Sequence, residues 1–478
     1  MLSKIKRGHF GPPAIALTLT AAAILFNVAA SPPARAAVGG EYSVEDVSFS
    51  NDGTTLHGTV LTPVDAPPAA DGWPAVVLVA GAGARTRDSY LDEAEAFAEA
   101  GIVALIYDKR TSGYSMTQRS FPQLADDALA GLELLRVRDD VDPAFVGLWG
   151  HSEGAWVVQL AATRSEHVDF VIATGASALS PSRTQAWSNC QYLMQAGFAE
   201  PMCGPVGANL TRLLVAGGMF PEADYDPIPV AESLRVPTLV VLAEFDQSTV
   251  PVESAALFAD AFAANQFAEI VVIENADHNF FHSPDGFEDV DDRFAPGYLQ
   301  TFTTWVHHAR DGYASASSDR LDRHSRTSTP LAPLGWFESL AAHAVILGAL
   351  LVAFVSYPIS AVAMRIGGRR PRPVAGVQAR VLAATGVAAV VGTICFLGYL
   401  VATGATQPLG PVVLGRPLVW LALQLVTVTA LVAAVWAAIN SFRERRRITR
   451  GARVRLALVV SGGALLVPWA LYWGLLTP

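Results

Sequence analysis

The sequence predicts an α/β domain with a mostly parallel sheet, helices on both faces and a small cap, followed by an all-α transmembrane region. Between residues 41 and 310, short apolar runs alternate with amphipathic stretches, as strands and helices interleaved along a chain do. Residues 337–478 carry four apolar runs, each with the ~20 residues needed to cross a hydrocarbon core of ~30 Å. Charge divides at the same place. Residues 37–335 hold 16 basic and 41 acidic residues, and residues 336–478 hold 13 basic and 2 acidic. Of all 478 residues, 51% are hydrophobic and 16% charged, against roughly 25% charged in soluble domains. That excludes intrinsic disorder and argues against a wholly soluble chain. The acidic middle argues against nucleic acid as a partner, because phosphate binding needs a basic footprint. Three cysteines exclude a disulfide-dense scaffold.

In chain order, residues 1–36 read as a signal peptide. Lys4, Lys6 and Arg7 form a positive start, 14–30 is apolar, and Ala34-Arg35-Ala36 offers small residues to a peptidase. An uncleaved anchor is the alternative, and it sends the next domain across the membrane equally. Residues 37–312 read as an extracytoplasmic domain. Asn51-Asp52-Gly53 is a hairpin signal between strands at 44–50 and 56–61. Buried strands follow at 75–80, 102–107, 145–149, 168–174, 238–243 and 269–273, with helices such as 90–100 and 124–136 between them. Strands that alternate with helices imply a parallel sheet covered on both faces. Residues 177–230 are too long for a simple crossover and read as the cap. Cys190 and Cys203 both fall there. In an exported protein they are expected to pair, two buried thiols being the alternative. Residues 313–336 are polar and read as a linker.

The membrane runs are 341–364, 381–401, 418–439 and 456–476. Arg365, Arg369, Arg370, Arg372 and Arg380 separate the first pair, and Arg443, Arg445, Arg446, Arg447, Arg450, Arg453 and Arg455 the last. The middle loop has only Arg416. Arg-rich loops stay in the cytoplasm, so the α/β domain and the C-terminus are expected outside. The runs carry almost no ionisable groups of the kind pumps need, which favours an anchor or partner-docking bundle. Cys395 reads as a small apolar residue.

Gly150-His151-Ser152-Glu153-Gly154 is a Gly-x-Ser-x-Gly motif between an apolar strand and the helical stretch 155–162. A nucleophile at a sharp strand-to-helix turn needs neighbours without bulk, and helix entry aims N–H groups at developing negative charge. A serine hydroxyl needs a base, and the base needs an orienting carboxylate. In the order this elbow demands, Asp246 follows the strand at 238–243 and His278 follows the last strand. Glu244 and His282 are their rivals, and Asp246 and His278 are favoured. The oxyanion hole needs two backbone donors, expected from Glu153 and from Ala82 in the loop Gly81-Ala82-Gly83-Ala84. That loop lacks the Gly-Lys-Ser/Thr ending of a phosphate loop. No His, Cys and carboxylate cluster has metal-ligand spacing, so neither a metal nor a cofactor is implied.

Around these residues the domain resembles the α/β-hydrolase superfamily, in particular its dienelactone hydrolase-like and serine aminopeptidase-like group. Asn51-Asp52-Gly53-Thr54-Thr55-Leu56-His57-Gly58 resembles the opening hairpin. Val79-Ala80-Gly81-Ala82-Gly83 with Arg87-Asp88 resembles the oxyanion loop, and Tyr107-Asp108-Lys109-Arg110-Thr111-Ser112-Gly113-Tyr114-Ser115 the loop after the next parallel strand. Ala80 stands where the family has His, and Thr111 where it has Gly; the first bears on how firmly the oxyanion loop is held, but backbone donors do not depend on it, and neither touches the triad. The resemblance covers about residues 41–310. It implies a serine hydrolase of esters, thioesters or peptide-like amides.

The expected function is therefore a membrane-anchored extracytoplasmic serine hydrolase of small acyl substrates, with the bilayer as a further partner. A serine peptidase, with Glu153 or Glu244 holding a free N-terminus, and an acyltransferase are the enzymatic alternatives. A non-catalytic membrane scaffold or sensor is the alternative from another class.

Overall fold

The computed structural model describes residues 42–64, 71–115, 117–290, 292–312, 317–318, 327–368, 376–405, 407, 409–446 and 448–477. The expected signal peptide, 1–36, lies outside the described residues.

The sheet is built from β1 (Tyr42–Asn51), β2 (Thr54–Pro63), β3 (Trp73–Val79), β4 (Val103–Tyr107), β5 (Val141–His151), β6 (Val171–Thr174), β7 (Thr238–Ala243), β8 (Ala268–Ile273) and a short β9 (Ser317–Ser318). Its order is β1-β2-β4-β3-β5-β6-β7-β8-β9. The β1–β2 hairpin and the β2–β4 pair are antiparallel, and every later pair is parallel. The hairpin turns at Asp52-Gly53, both at positive φ, which Gly adopts freely and Asp tolerates. Central strands such as β3, β4 and β7 are buried and read as runs dominated by Val, Leu, Ile and Ala, as strands covered on both faces do. Helices α1 (Leu91–Glu99), α2 (Phe121–Arg136), α3 (Glu153–Ala162), α7 (Pro251–Ala261) and α8 (Tyr298–Arg310) cover the faces. Phe97, Trp149, Phe302 and Trp305 fill one side, and Phe121, Leu132, Leu148 and Val157 the other.

Between β6 and β7 the chain forms the cap, with α4 (Pro181–Gln195), α5 (Asn209–Ala216) and α6 (Ile228–Ser233). Cys190 and Cys203 form a disulfide with Cα atoms 4.8 Å apart, which ties α4 to the segment leading into α5. Part of the stretch read as a linker is docked. Ser317–Ser318 adds an edge strand to β8, and Ser328 hydrogen-bonds Glu253 and Arg183. Residues 313–316 and 319–326 of that stretch lie outside the described residues.

The C-terminal region is a bundle of α9 (Leu340–Ile366), α10 (Gly376–Thr403), α11 (Leu418–Arg443) and α12 (Arg450–Tyr472), with a small β10 (Val412–Val413) and β11 (Arg416–Pro417) hairpin between α10 and α11. All four helices are long and apolar enough to cross a membrane. Buried hydroxyls are satisfied within their own helices: Thr393 donates to Ala389 O at 2.7 Å and Thr427 to Leu423 O at 2.8 Å.

The cap sits directly on one end of this bundle. Leu193, Phe198, Met202 and Val206 share a buried cluster with Phe396, Leu397, Leu400, Trp420 and Trp473. Polar bonds fix the register. Asn209 Nδ2 donates to Tyr472 O at 2.6 Å, Ala199 N–H to Gly415 O at 2.7 Å, and Arg212 Nε to Glu338 Oε1 at 2.7 Å. The arginines at 365, 380, 443, 445, 446, 450, 453 and 455 lie at the opposite end.

Candidate active site

Ser152 stands between β5 and α3 at φ 56° and ψ −114°, a backbone conformation uncommon for a side-chain-bearing residue. Its flanking glycines are there because strand and helix approach closely. A Cβ on Gly150 falls 2.2 Å from Gly154 O, and one on Gly154 falls 2.2 Å from Val79 O. Ser152 N–H donates to Thr174 O at 2.9 Å, which holds the turn against β6.

His278 and Asp246 come from the carboxyl ends of β8 and β7. His278 Nε2 lies 3.0 Å from Ser152 Oγ, and His278 Nδ1 lies 2.8 Å from Asp246 Oδ2. Asp246 is itself held. Its Oδ1 accepts the N–H groups of Ser248 and Thr249, both at 2.7 Å, and its Oδ2 accepts the Thr249 hydroxyl at 2.6 Å. Burial alone lowers the His278 pKa, but the charge and hydrogen bond of Asp246 outweigh it and leave it raised above 6.5. The rival acid, Glu244, accepts Asn275 N–H at 2.9 Å. The rival base, His282, takes its backbone into a bridge with Ala276. The structure thus brings together Ser152, Asp246 and His278.

Ala82 and Glu153 line the same cavity as Ser152. In the loop after β3, the N–H of Gly81 donates to Tyr90 Oη and that of Gly83 to Tyr114 Oη, both at 3.0 Å. Between them, the N–H of Ala82 has no partner among the described residues. Glu153 opens α3, so its N–H is one of the helix's unpaired first donors.

The Glu153 side chain belongs to a network that motif reading does not reach. It is 2% exposed. Its Oε1 accepts Lys109 Nζ at 2.6 Å and Tyr114 Oη at 2.8 Å, and its Oε2 accepts Arg119 Nη1 at 2.5 Å. Burial raises the carboxyl's pKa, but the charges of Lys109 and Arg119 overcome that and bring it down to about 2. Lys109 Nζ also donates to Gly81 O at 2.6 Å and Ala80 O at 3.3 Å. The loop after β3 and the turn that carries Ser152 and Glu153 are therefore joined through one ammonium. Lys109, Tyr90 and Tyr114 all hydrogen-bond this loop. One signal for Lys109 is in the sequence, since it is the only lysine outside residues 1–36. Neighbouring motif residues have structural partners. Asp108 pairs with Arg87 at 2.8 Å, and Arg110 with Asp127 at 2.6 Å.

The cavity over Ser152 has a volume of about 360 Å³, within the range of small-molecule sites. Arg85, Asp277 and Asn279 line it with His278 and Ser152, and cap residues such as Tyr192 and Leu210 line it as well. Burial and the nearby Asp289 charge push the Asp277 carboxyl up to about 7.

Residues 76–290 match the sequence model of the Alpha/beta hydrolase family, and the fold is the α/β-hydrolase fold. A polyketide transferase of Stachybotrys chlorohalonatus is 30% identical over 135 residues, 27% of this chain and 43% of that protein. The chain thus spans less than half the length of that curated relative. Similar solved structures include a dienelactone hydrolase from Anabaena variabilis, at 18% identity and TM-score 0.35 over 57% of this chain and 99% of that one. Another is a hyperthermophilic esterase from Pyrobaculum calidifontis, at 17% identity and TM-score 0.38 over 57% and 87%. Est1E from Butyrivibrio proteoclasticus has 17% identity and TM-score 0.38 over 56% and 98%.

Proposed function

We propose that the protein is a membrane-anchored extracytoplasmic serine hydrolase that cleaves acyl esters or thioesters. The observation that carries this reading is the hydrogen-bond chain from Ser152 through His278 to Asp246, opening into a cavity. Ser152 Oγ attacks the acyl carbonyl as His278 Nε2 takes its proton. Asp246 orients the ring and stabilises its charged form. The N–H groups of Ala82 and Glu153 receive the oxyanion. His278 returns the proton to the leaving alcohol or thiol, which departs and leaves acyl-Ser152. Water then attacks the acyl group, giving up a proton to His278, and the acid is released as Ser152 regains its hydrogen.

An outward-facing domain is supported by the arginines at the far end of the bundle and by the Cys190–Cys203 disulfide, a bond that persists in oxidising compartments. Glu153 is engaged by two cations and Glu244 by Asn275 N–H, which weighs against the peptidase alternative. Acyl transfer to an alcohol is a second reading, favoured by the likeness to a polyketide transferase.

The test uses the full chain in detergent with nitrophenyl esters from acetate to palmitate, aminoacyl-nitroanilides, and Ser152→Ala as control. Ester turnover lost in the variant is the expected result. Nitroanilide turnover without ester preference favours the peptidase. Products capped by added alcohol favour transfer. No Ser152-dependent turnover of either substrate refutes the hydrolase proposal.

A further inference from the structure

The cavity over Ser152 changes character along its length. Near the triad it is polar, with Arg85, Arg119, Asp277 and Asn279. Its other wall is made by Leu210 and Leu214 of α5 and by Leu400, Val401 and Ala405 at the end of α10. Leu210 and Leu214 are four residues apart and so share a helix face. They stay half-buried, as do Val401 and Ala405, which is unusual for apolar side chains that lie in a folded interior.

The end of α10 has a defined level. A helix that spans a bilayer ends where hydrocarbon gives way to headgroups, and aromatic side chains collect there. At this end of the bundle Trp336 is 84% exposed and Phe337 46%, and Tyr472 and Trp473 stand at the end of α12. The hairpin after α10 turns Val412, Val413 and Leu414 outward, with Leu414 83% exposed. That hairpin touches the cap, where Val412 packs on Gly197. An apolar collar of this kind beside the cavity suits a surface seated in lipid.

We infer that the cavity is filled from the bilayer and that the substrate is a membrane-resident long-chain acyl ester. Its hydrocarbon chain runs between α5 and the end of α10 while its carbonyl reaches Ser152. Leu210, Leu214, Val401 and Ala405 set the chain length. This names the substrate class of the Ser152 site and rests on the serine-hydrolase reading. A chain passing from the leaflet to this wall never enters water, which otherwise disfavours it by roughly fourfold per methylene. The same contact accounts for a cap packed onto the bundle rather than tethered to it.

The test reconstitutes the full chain in phosphatidylcholine vesicles and compares kcat/KM for nitrophenyl palmitate and nitrophenyl butyrate. Val401→Trp and Ala405→Trp are expected to lower the palmitate-to-butyrate ratio at least tenfold. Val435→Trp, on the exposed face of α11, leaves the ratio unchanged. Photolabelling of Ser152→Ala by a diazirine-bearing palmitoyl ester in the same vesicles needs neither turnover nor the tryptophan variants. Label on α5 and the end of α10 is expected. An unchanged ratio in both variants, or label confined elsewhere, overturns the inference, while Ser152-dependent butyrate turnover keeps the hydrolase reading. Absence of Ser152-dependent turnover of both esters overturns the two together.

Discussion

Replacing Glu153 by Gln keeps the shape of the side chain and the backbone N–H but removes the charge that two buried cations share. Lys109 and Arg119 then face each other without an anion, 4% exposed each. Breaking a buried ion pair from one side costs about 3–5 kcal/mol. The carboxyl's displacement from 4.5 to about 2 gives an independent value of about 3 kcal/mol, at 1.36 kcal/mol for each pH unit. At roughly 2–4 °C per kcal/mol, Glu153→Gln lowers the unfolding temperature of the α/β domain by about 6–12 °C at pH 7. The sign with pH follows from a depressed folded value. The stabilisation is complete above the unfolded value of 4.5 and is lost as pH falls toward about 2. The gap between wild type and variant therefore narrows by about half at pH 3. On the proposed mechanism activity falls as well, because Lys109 links this carboxylate to Gly81 O, next to the Ala82 N–H assigned to the oxyanion. The expected loss is about tenfold to a hundredfold in kcat, less than removal of a donor outright. Tryptophan fluorescence during heating of the full chain in detergent at pH 7, 5 and 3, with ester kinetics at pH 7, measures all three. An unfolding temperature within 2 °C of wild type at pH 7, or a gap that widens in acid, refutes the charge-network reasoning.

For the remaining predictions, the acid limb of kcat/KM should lie above pH 6.5, because His278 must be neutral to accept a proton and Asp246 raises its pKa; activity is lost as pH falls through that limb. Asp246→Asn should move the limb to lower pH and cut kcat by about 10⁴, read from the same pH series. Gly154→Ala sets a Cβ 2.2 Å from Val79 O, so it should cost about 1–3 kcal/mol in thermal unfolding and displace the elbow, with reduced ester turnover. Cys190→Ser with Cys203→Ser opens a loop of sequence separation 13 and should destabilise the cap by about 3 kcal/mol, matched by wild type under reductant.

Most of the α/β framework was legible in the chain because its signals are local. The apolar runs at 75–80, 102–107 and 238–243 fall on β3, β4 and β7, since strands buried on both faces read as unbroken apolar segments. Ser152 was legible because the elbow's sterics demand two glycines at fixed offsets. Asp246 and His278 needed only a position just past an apolar strand. The Glu153 network was not legible. Its members at 109, 114, 119 and 153 come from separate segments, and no periodicity links them.

By itself the sequence carried the contrast between an acidic stretch of alternating strands and helices and a basic stretch of four long apolar helices. This contrast follows from composition and periodicity, which act over a few neighbouring residues. Only the tertiary structure decided that Glu153 is a buried anion tying two loops together, and that α10 supplies a wall of the cavity over Ser152. Leu400 and Val401 read in the chain as membrane-spanning apolar residues like their neighbours. They acquire a place in the wall of the cavity over Ser152 only because the cap packs against the bundle end, a contact between segments about 200 residues apart, which propensity and spacing do not encode.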